Sequence, residues 1–92
     1  MDARRSKLKY RAWHRGFREA DLILGPFADA HLEGLGDAEL DQFEALLGQP
    51  DPDLYAWIIG QSEAPEAFDL PVLGLIRNFR FDARLARANF GA

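Results

Sequence analysis

Threonine is absent from this 92-residue chain, valine occurs once and isoleucine four times, so the β-branched residues that favour a pleated strand are scarce. The apolar residues recur instead at intervals of three and four, as on one face of an α-helix. Together these features restrict the chain to an all-α fold. Hydrophobic residues make up 48% of it, with seven Phe, two Trp and two Tyr, enough for one small core and a single domain. Cysteine is absent, which removes disulfides and thiolate metal sites, so a domain this small depends on well-packed helices.

Glycine and proline divide the pattern into five predicted helices, a compact five-helix bundle. The first runs from about Ser6 to Arg15, with Ser6 as N-cap, Leu8, Ala12 and Trp13 as apolar contacts, and Gly16 as its end. The second runs from Phe17 to about Glu33 and buries Phe17, Ala20, Leu24, Phe27 and His31. Pro26 lacks an amide donor and crowds the turn before it, which predicts a kink near Leu22 to Gly25. A third helix follows Gly34-Leu35-Gly36, capped by Gly36 or Asp37. Glu39 complements its positive end, Leu40, Phe43, Leu46 and Leu47 face inward, and Gly48 closes it.

Asp51 as cap and Pro52 at the first helical position start the fourth helix, which carries Leu54, Tyr55, Trp57, Ile58 and Ile59 and stops at Gly60. Aromatic residues at this spacing read as core, with an interface as the alternative for Tyr55 and Trp57. A polar connection over 61–69 leads to a fifth helix opening at Pro71, with Val72, Leu73, Ile76 and Phe79 inside. The helical domain covers residues 1–82, and residues 83–92 read as a frayed basic tail.

The net charge of −4 conceals a segregation of +6, −13 and +3 over residues 1–18, 19–76 and 77–92. Either the basic ends fold against the acidic middle, or the asymmetry orients association with a partner. Arg15-Gly16-Phe17-Arg18-Glu19 lies where the sign reverses and where the first helix must break. A bare glycine flanked by arginines, with a carboxylate three residues on, suits docking. Gly16 equally suits a helix stop, and Glu19 the positive end of the second helix.

Groups for catalysis are scarce: two His 17 positions apart, two Ser, and no Thr or Cys. Ser6 or Ser62 with His14 or His31 makes a poor nucleophile–base candidate, and each His reads as a partly buried helix residue. The acids lack a calcium-loop pattern, Gly34 and Gly36 lack the continuation of a dinucleotide fingerprint, and neither His opens a metal motif. Ser62 lacks the Asp-Ser-Leu signature of acyl carriers. No apolar run approaches the roughly 20 residues that span a bilayer, and Met1 to Leu8 has no secretory apolar core. The expectation is a soluble, cytoplasmic protein without membrane insertion.

The run Trp13-His14-Arg15-Gly16-Phe17-Arg18-Glu19-Ala20-Asp21 resembles the signature of the succinate dehydrogenase flavinylation factors, small assembly proteins with an Arg-Gly-x-x-Glu motif. Pro26-Phe27, the segment Asp51-Pro52-Asp53-Leu54-Tyr55-x-Trp57 and Leu75-Ile76-Arg77 resemble that family in the same order. The similarity thus covers about Arg4 to Arg80.

This resemblance implies a five-helix bundle that is no oxidoreductase. It implies binding to the flavoprotein subunit of succinate dehydrogenase, in some bacteria also of fumarate reductase, and promotion of covalent attachment of FAD to a histidine of that subunit. FAD is then the partner's cofactor, and this chain binds none stably. The motif carried over is Arg15, Gly16 and Glu19 as partner-binding residues, with Arg18 and Asp21 as neighbours. A monomer forming a one-to-one heterocomplex is expected.

The main alternative is a module that binds nucleic acid or another acidic partner through Arg4, Arg5, Lys7, Lys9, Arg11, Arg15 and Arg18. The thirteen carboxylates between Glu19 and Ile76 oppose a polyanion, so nucleic acid is not the expected partner. A self-associating structural bundle is a third reading.

Overall fold

Asp2, rather than Ser6, begins the first helix. In the computed structural model, which describes residues 2–91 and the side chains of residues 2–82, helix α1 spans Ala3–Trp13. The Asp2 carboxylate accepts the Arg5 amide at 2.8 Å and also pairs with the Arg5 guanidinium. The amide bond, then the guanidinium, holds the Asp2 carboxyl below its ordinary range. A charged cap complements the positive end of a helix as a hydroxyl cannot, so α1 gains a turn and Ser6 lies exposed within it.

Helix α2 spans Arg18–His31 and contains Pro26 without ending there; a 3-10 turn, Leu32–Gly34, follows. Ala20, Leu24, Phe27, Ala28 and Leu32 are buried, so Leu32 takes the inward position that the periodicity gives to His31. Both histidines are exposed, contrary to expectation. The His31 ring lies over the outer edge of the core, 5.1 Å from Phe27 and 5.5 Å from Phe79 between centroids.

At Gly25 the Trp13 side chain of α1 lies directly against the α2 backbone. A Cβ there would lie 2.3 Å from Cδ2 of the Trp13 indole, which no side chain tolerates. Trp13 is fixed from its other end, since Nε1 donates to Asp29 Oδ1 at 3.2 Å, and Lys9 Nζ stands 3.1 Å from the same oxygen. Those contacts, the indole bond first, hold the Asp29 carboxyl below its usual range.

Helix α3 spans Asp37–Leu47 after Gly36, whose amide donates to Glu39 Oε1 at 3.0 Å. Helix α4 spans Asp51–Ile59 with Pro50 before it, so Asp51 is the first helical residue and not the cap. Gly60 closes α4 in the left-handed region, φ 78°. Helix α5 spans Pro71–Gly91, and Gln42 of α3 accepts the Val72 amide at 3.1 Å, satisfying a helix-end donor that has no intrahelical partner. The expected fraying over 83–92 concerns residues whose side chains lie outside those described.

Helix α5 packs against α2, α3 and α4, while α1 lies along α2 and touches α3. Phe27 sits at the centre, 5.7 Å from Phe43 and 5.8 Å, edge-on, from Phe79. Trp57 is 7% exposed and stacks at 5.5 Å on Phe68, which lies in a second 3-10 turn, Glu66–Phe68. It therefore belongs to the core, as the spacing predicts.

Gly25→Ala should lower stability by about 1–3 kcal/mol, as overpacking does, and Trp57→Ala by about 3–5 kcal/mol. Thermal melts followed by circular dichroism check both. An unchanged melting temperature for Gly25→Ala contradicts the close α1–α2 approach.

Candidate partner-docking site

Between α1 and α2 the chain turns through His14, Arg15, Gly16 and Phe17. Gly16 has φ 87°, a left-handed conformation, and a Cβ there would meet nothing within 4 Å. The glycine is thus required by the backbone, not by crowding, and it leaves an open stretch of peptide at the surface. On its far side the Phe17 ring packs edge-on against Tyr55 of α4 at 5.4 Å.

Arg15 is not the free surface cation that the charge pattern suggests. Its side chain is only 8% exposed, and Nε donates to Asp51 Oδ1 at 2.6 Å. Nη1 donates to the Leu47 carbonyl at 2.6 Å and Nη2 to the Gln49 carbonyl at 2.8 Å. The cation therefore sits at the negative end of α3, and its anion at the positive end of α4. Only a planar fork of donors reaches three acceptors so placed. This pairing also explains why Asp51 does not cap α4: its carboxylate is turned to Arg15. Asp21, from the first turn of α2, accepts the Arg15 amide at 3.1 Å.

The five motif residues thus divide by role. Arg15 and Asp21 point inward and fix the loop. Gly16, Arg18 and Glu19 are exposed, and among the described residues neither Arg18 nor Glu19 forms an ion pair. One turn further, Leu22 is 58% exposed. The sequence reading passes over Leu22, although its signal is present, for it lies out of phase with the buried face of Ala20, Leu24 and Phe27.

The basic first segment is largely neutralised within the molecule. Arg4 meets Asp41 at 2.5 Å and Glu44 at 3.7 Å, Arg5 pairs with Asp2, Lys9 with Asp29, and Arg15 with Asp51. Arg5 also donates to the Leu32 and Leu35 carbonyls at 3.1 and 2.5 Å. Lys7, Arg11 and Arg18 form no ion pair among the described residues. An open groove of about 450 Å³ runs beside the loop, with Tyr10, Arg11 and His14 on one wall and Gly48, Gln49 and Pro50 on the other, joined by Arg15 and Asp51.

Among the described residues no cluster of three or more His, Cys, Asp or Glu could hold a metal ion, and no helix is long and apolar enough to cross a membrane. What the site offers is shape and charge: an anchored loop with bare backbone, a carboxylate and a guanidinium without ion-pair partners among the described residues, and an exposed leucine.

Residues 6–80 match the family model described as Flavinator of succinate dehydrogenase. The mitochondrial succinate dehydrogenase assembly factor 2 of Dictyostelium discoideum is 42% identical over 74 residues, covering 80% of this chain and 52% of that protein. The FAD assembly factor SdhE of Acetobacter pasteurianus is 39% identical over 87 residues, 95% of this chain and 77% of that protein. A mitochondrial assembly factor 2 from Meyerozyma guilliermondii is 41% identical over 56 residues, 61% and 42% of the two chains. The chain thus spans about half the length of the Dictyostelium relative and about three quarters of the Acetobacter one. The match over residues 6–80, which takes in the loop that Arg15 anchors and Glu19 follows, shows that the chain belongs to the flavinator of succinate dehydrogenase family.

Proposed function

We propose that this protein is an assembly factor, not an enzyme, that binds the flavoprotein subunit of succinate dehydrogenase and promotes covalent attachment of FAD to a histidine of that subunit. Fumarate reductase flavoprotein is a second partner of the same kind. FAD belongs to the partner, and this chain acts in the cytoplasm as a monomer in a one-to-one heterocomplex. The observation that carries the reading is the buried Arg15 fork, which stiffens the loop and leaves Gly16, Arg18 and Glu19 presented beside Leu22.

Flavin attachment requires the partner's histidine to be held against the isoalloxazine methyl group while negative charge on the ring is stabilised. A bound protein assists by fixing that geometry, since correct orientation alone is worth up to roughly 7–11 kcal/mol of a barrier. In this proposal the open peptide at Gly16 permits close approach. Glu19 accepts hydrogen bonds from the partner, which strengthen as the interface excludes water, and Leu22 supplies apolar contact. Arg15 and Asp21 act as positioning residues that hold the loop in shape.

Co-expression with the flavoprotein subunit, under limiting FAD and dicarboxylate, should raise the flavin fluorescence that stays on the denatured subunit. Equal fluorescence with and without this chain removes the proposal.

Glu19→Ala should reduce covalent flavin while changing stability by no more than about 0.5 kcal/mol, as for an exposed site without partners. Arg15→Lys should instead lower stability by about 2–4 kcal/mol, because the fork is lost and a part-buried carboxylate is left poorly paired. Its flavin yield should follow the folded fraction. Melting curves measured beside flavin yield separate the two roles, and a Glu19→Ala loss that merely follows unfolding contradicts the docking assignment.

A further inference from the structure

The first helix carries a second exposed feature that the docking loop does not account for. Tyr10 and Arg11 lie three and four residues after Lys7 on one face of α1, and His14, the residue that caps the helix, continues that face. All four are exposed, Tyr10 by 65%. Lys7 and Arg11 are like charges one turn apart, a spacing that weakens a helix, and among the described residues no carboxylate pairs with either. Supply is not the reason. The chain has 15 acids against 11 Lys and Arg, and Arg4, Arg5, Lys9 and Arg15 of the same segment each find one. A local conflict without an internal gain marks a site shaped by something outside the fold.

The geometry of that face is suited to an anion. The Tyr10 and His14 rings stack at 4.1 Å and 22°, and His14 Nδ1 lies 2.8 Å from the Tyr10 carbonyl. A carbonyl can only accept, so Nδ1 carries the hydrogen, and that bond together with the ring stack holds His14 flat beside Tyr10. The facing wall, Gly48, Gln49 and Pro50, bears no charge. Asp51, the groove's acid, is already held by Arg15 at 2.6 Å, so a carboxylate entering between the walls meets Arg11 without an unpaired acid opposing it.

We propose that the groove between α1 and the α3–α4 corner is a second docking site, occupied by an acidic, extended segment of the flavoprotein partner whose carboxylates meet Arg11 in the groove and Lys7 one helical turn beyond its lining, and whose apolar side chains lie on Tyr10 and His14. This inference rests on the proposed function and extends its interface to the other side of the Arg15 anchor. An acidic peptide fits better than nucleic acid. Salt-sensitive nucleic-acid binders make roughly 6–10 phosphate contacts, whereas four of the seven cations here are already paired and the surrounding surface is acidic.

The test uses the whole chain and the flavoprotein subunit, with dissociation constants measured by calorimetry from about 50 to about 500 mM NaCl, a range over which exposed charges become screened. The double variant Lys7→Ala/Arg11→Ala should bind at least about tenfold more weakly at low salt, with a flatter salt dependence and no loss of melting temperature. Glu19→Ala should weaken binding while keeping most of the salt dependence. A photo-crosslinker at position 10 should label an acid-rich stretch of the flavoprotein.

If the unaltered chain binds the flavoprotein and the double variant binds equally well, the second site is wrong and the proposed function stands. If the unaltered chain neither binds the flavoprotein nor raises covalent flavin, the function fails and the inference with it. Labelling of a stretch without acids overturns the proposal. So does binding of a 12-nucleotide single-stranded DNA as tight as that of the flavoprotein and lost in the double variant. A dimer dissociated by the double variant overturns it in favour of a second copy.

Discussion

A single guanidinium group fixes how four parts of the chain meet. Arg15 leaves the end of α1, and its three bonds reach the last turn of α3, the corner after it and the first residue of α4. Its own amide is held by the first turn of α2. The unpaired carbonyls at a helix end and the charge of an exposed carboxylate are common liabilities of a small bundle. Here one side chain satisfies both. Because Gly16 follows directly, the surface loop is set by this buried contact together with the left-handed turn that only the glycine makes readily.

The helices were legible from the chain because their signals are local. Capping residues, glycine stops and three-four spacing each act over a few positions, and Leu40, Phe43, Leu46 and Leu47, or Val72, Leu73 and Ile76, lie where that spacing puts them. What was not legible depends on residues far apart. Arg15 and Asp51 are separated by 36 positions, and no periodicity marks one as the partner of the other. The loop therefore reads as uniformly exposed, although Arg15 and Asp21 are turned inward. The same blindness shifts the start of α4 by one residue, since a capping aspartate and an ion-pairing aspartate look identical in one dimension. At the amino terminus, Asp2 and Ser6 are both acceptable caps by type, and the extra turn upstream decides between them.

Charge segregation, the broadest pattern in the composition, resolves into two parts of different meaning. Most of the basic segment is spent on α2, α3, α4 and its own cap, which makes the pattern partly a device for folding the end of the chain onto the middle. Exposed pairs such as Arg4 with Asp41 contribute little individually, about 0–1 kcal/mol, but they agree in direction and set the seating of α1. The unpaired remainder among the described residues, Lys7, Arg11 and Arg18, is small enough to be overlooked in a net charge of −4 and lies along the exposed side of α1 and the start of α2.

The distances in sequence spanned by Arg15 also bear on when the protein becomes competent to act. During synthesis α1 and the Gly16 loop emerge first, yet the acceptors that give the loop its shape, Leu47, Gln49 and Asp51, follow 32 to 36 residues later. A chain lacking the α3–α4 corner has the whole Arg-Gly-x-x-Glu sequence and none of its geometry. Under the proposed docking role, recognition by a partner would read out completion of the bundle, and the contact that shapes the finished surface would also keep unfinished chains from being bound.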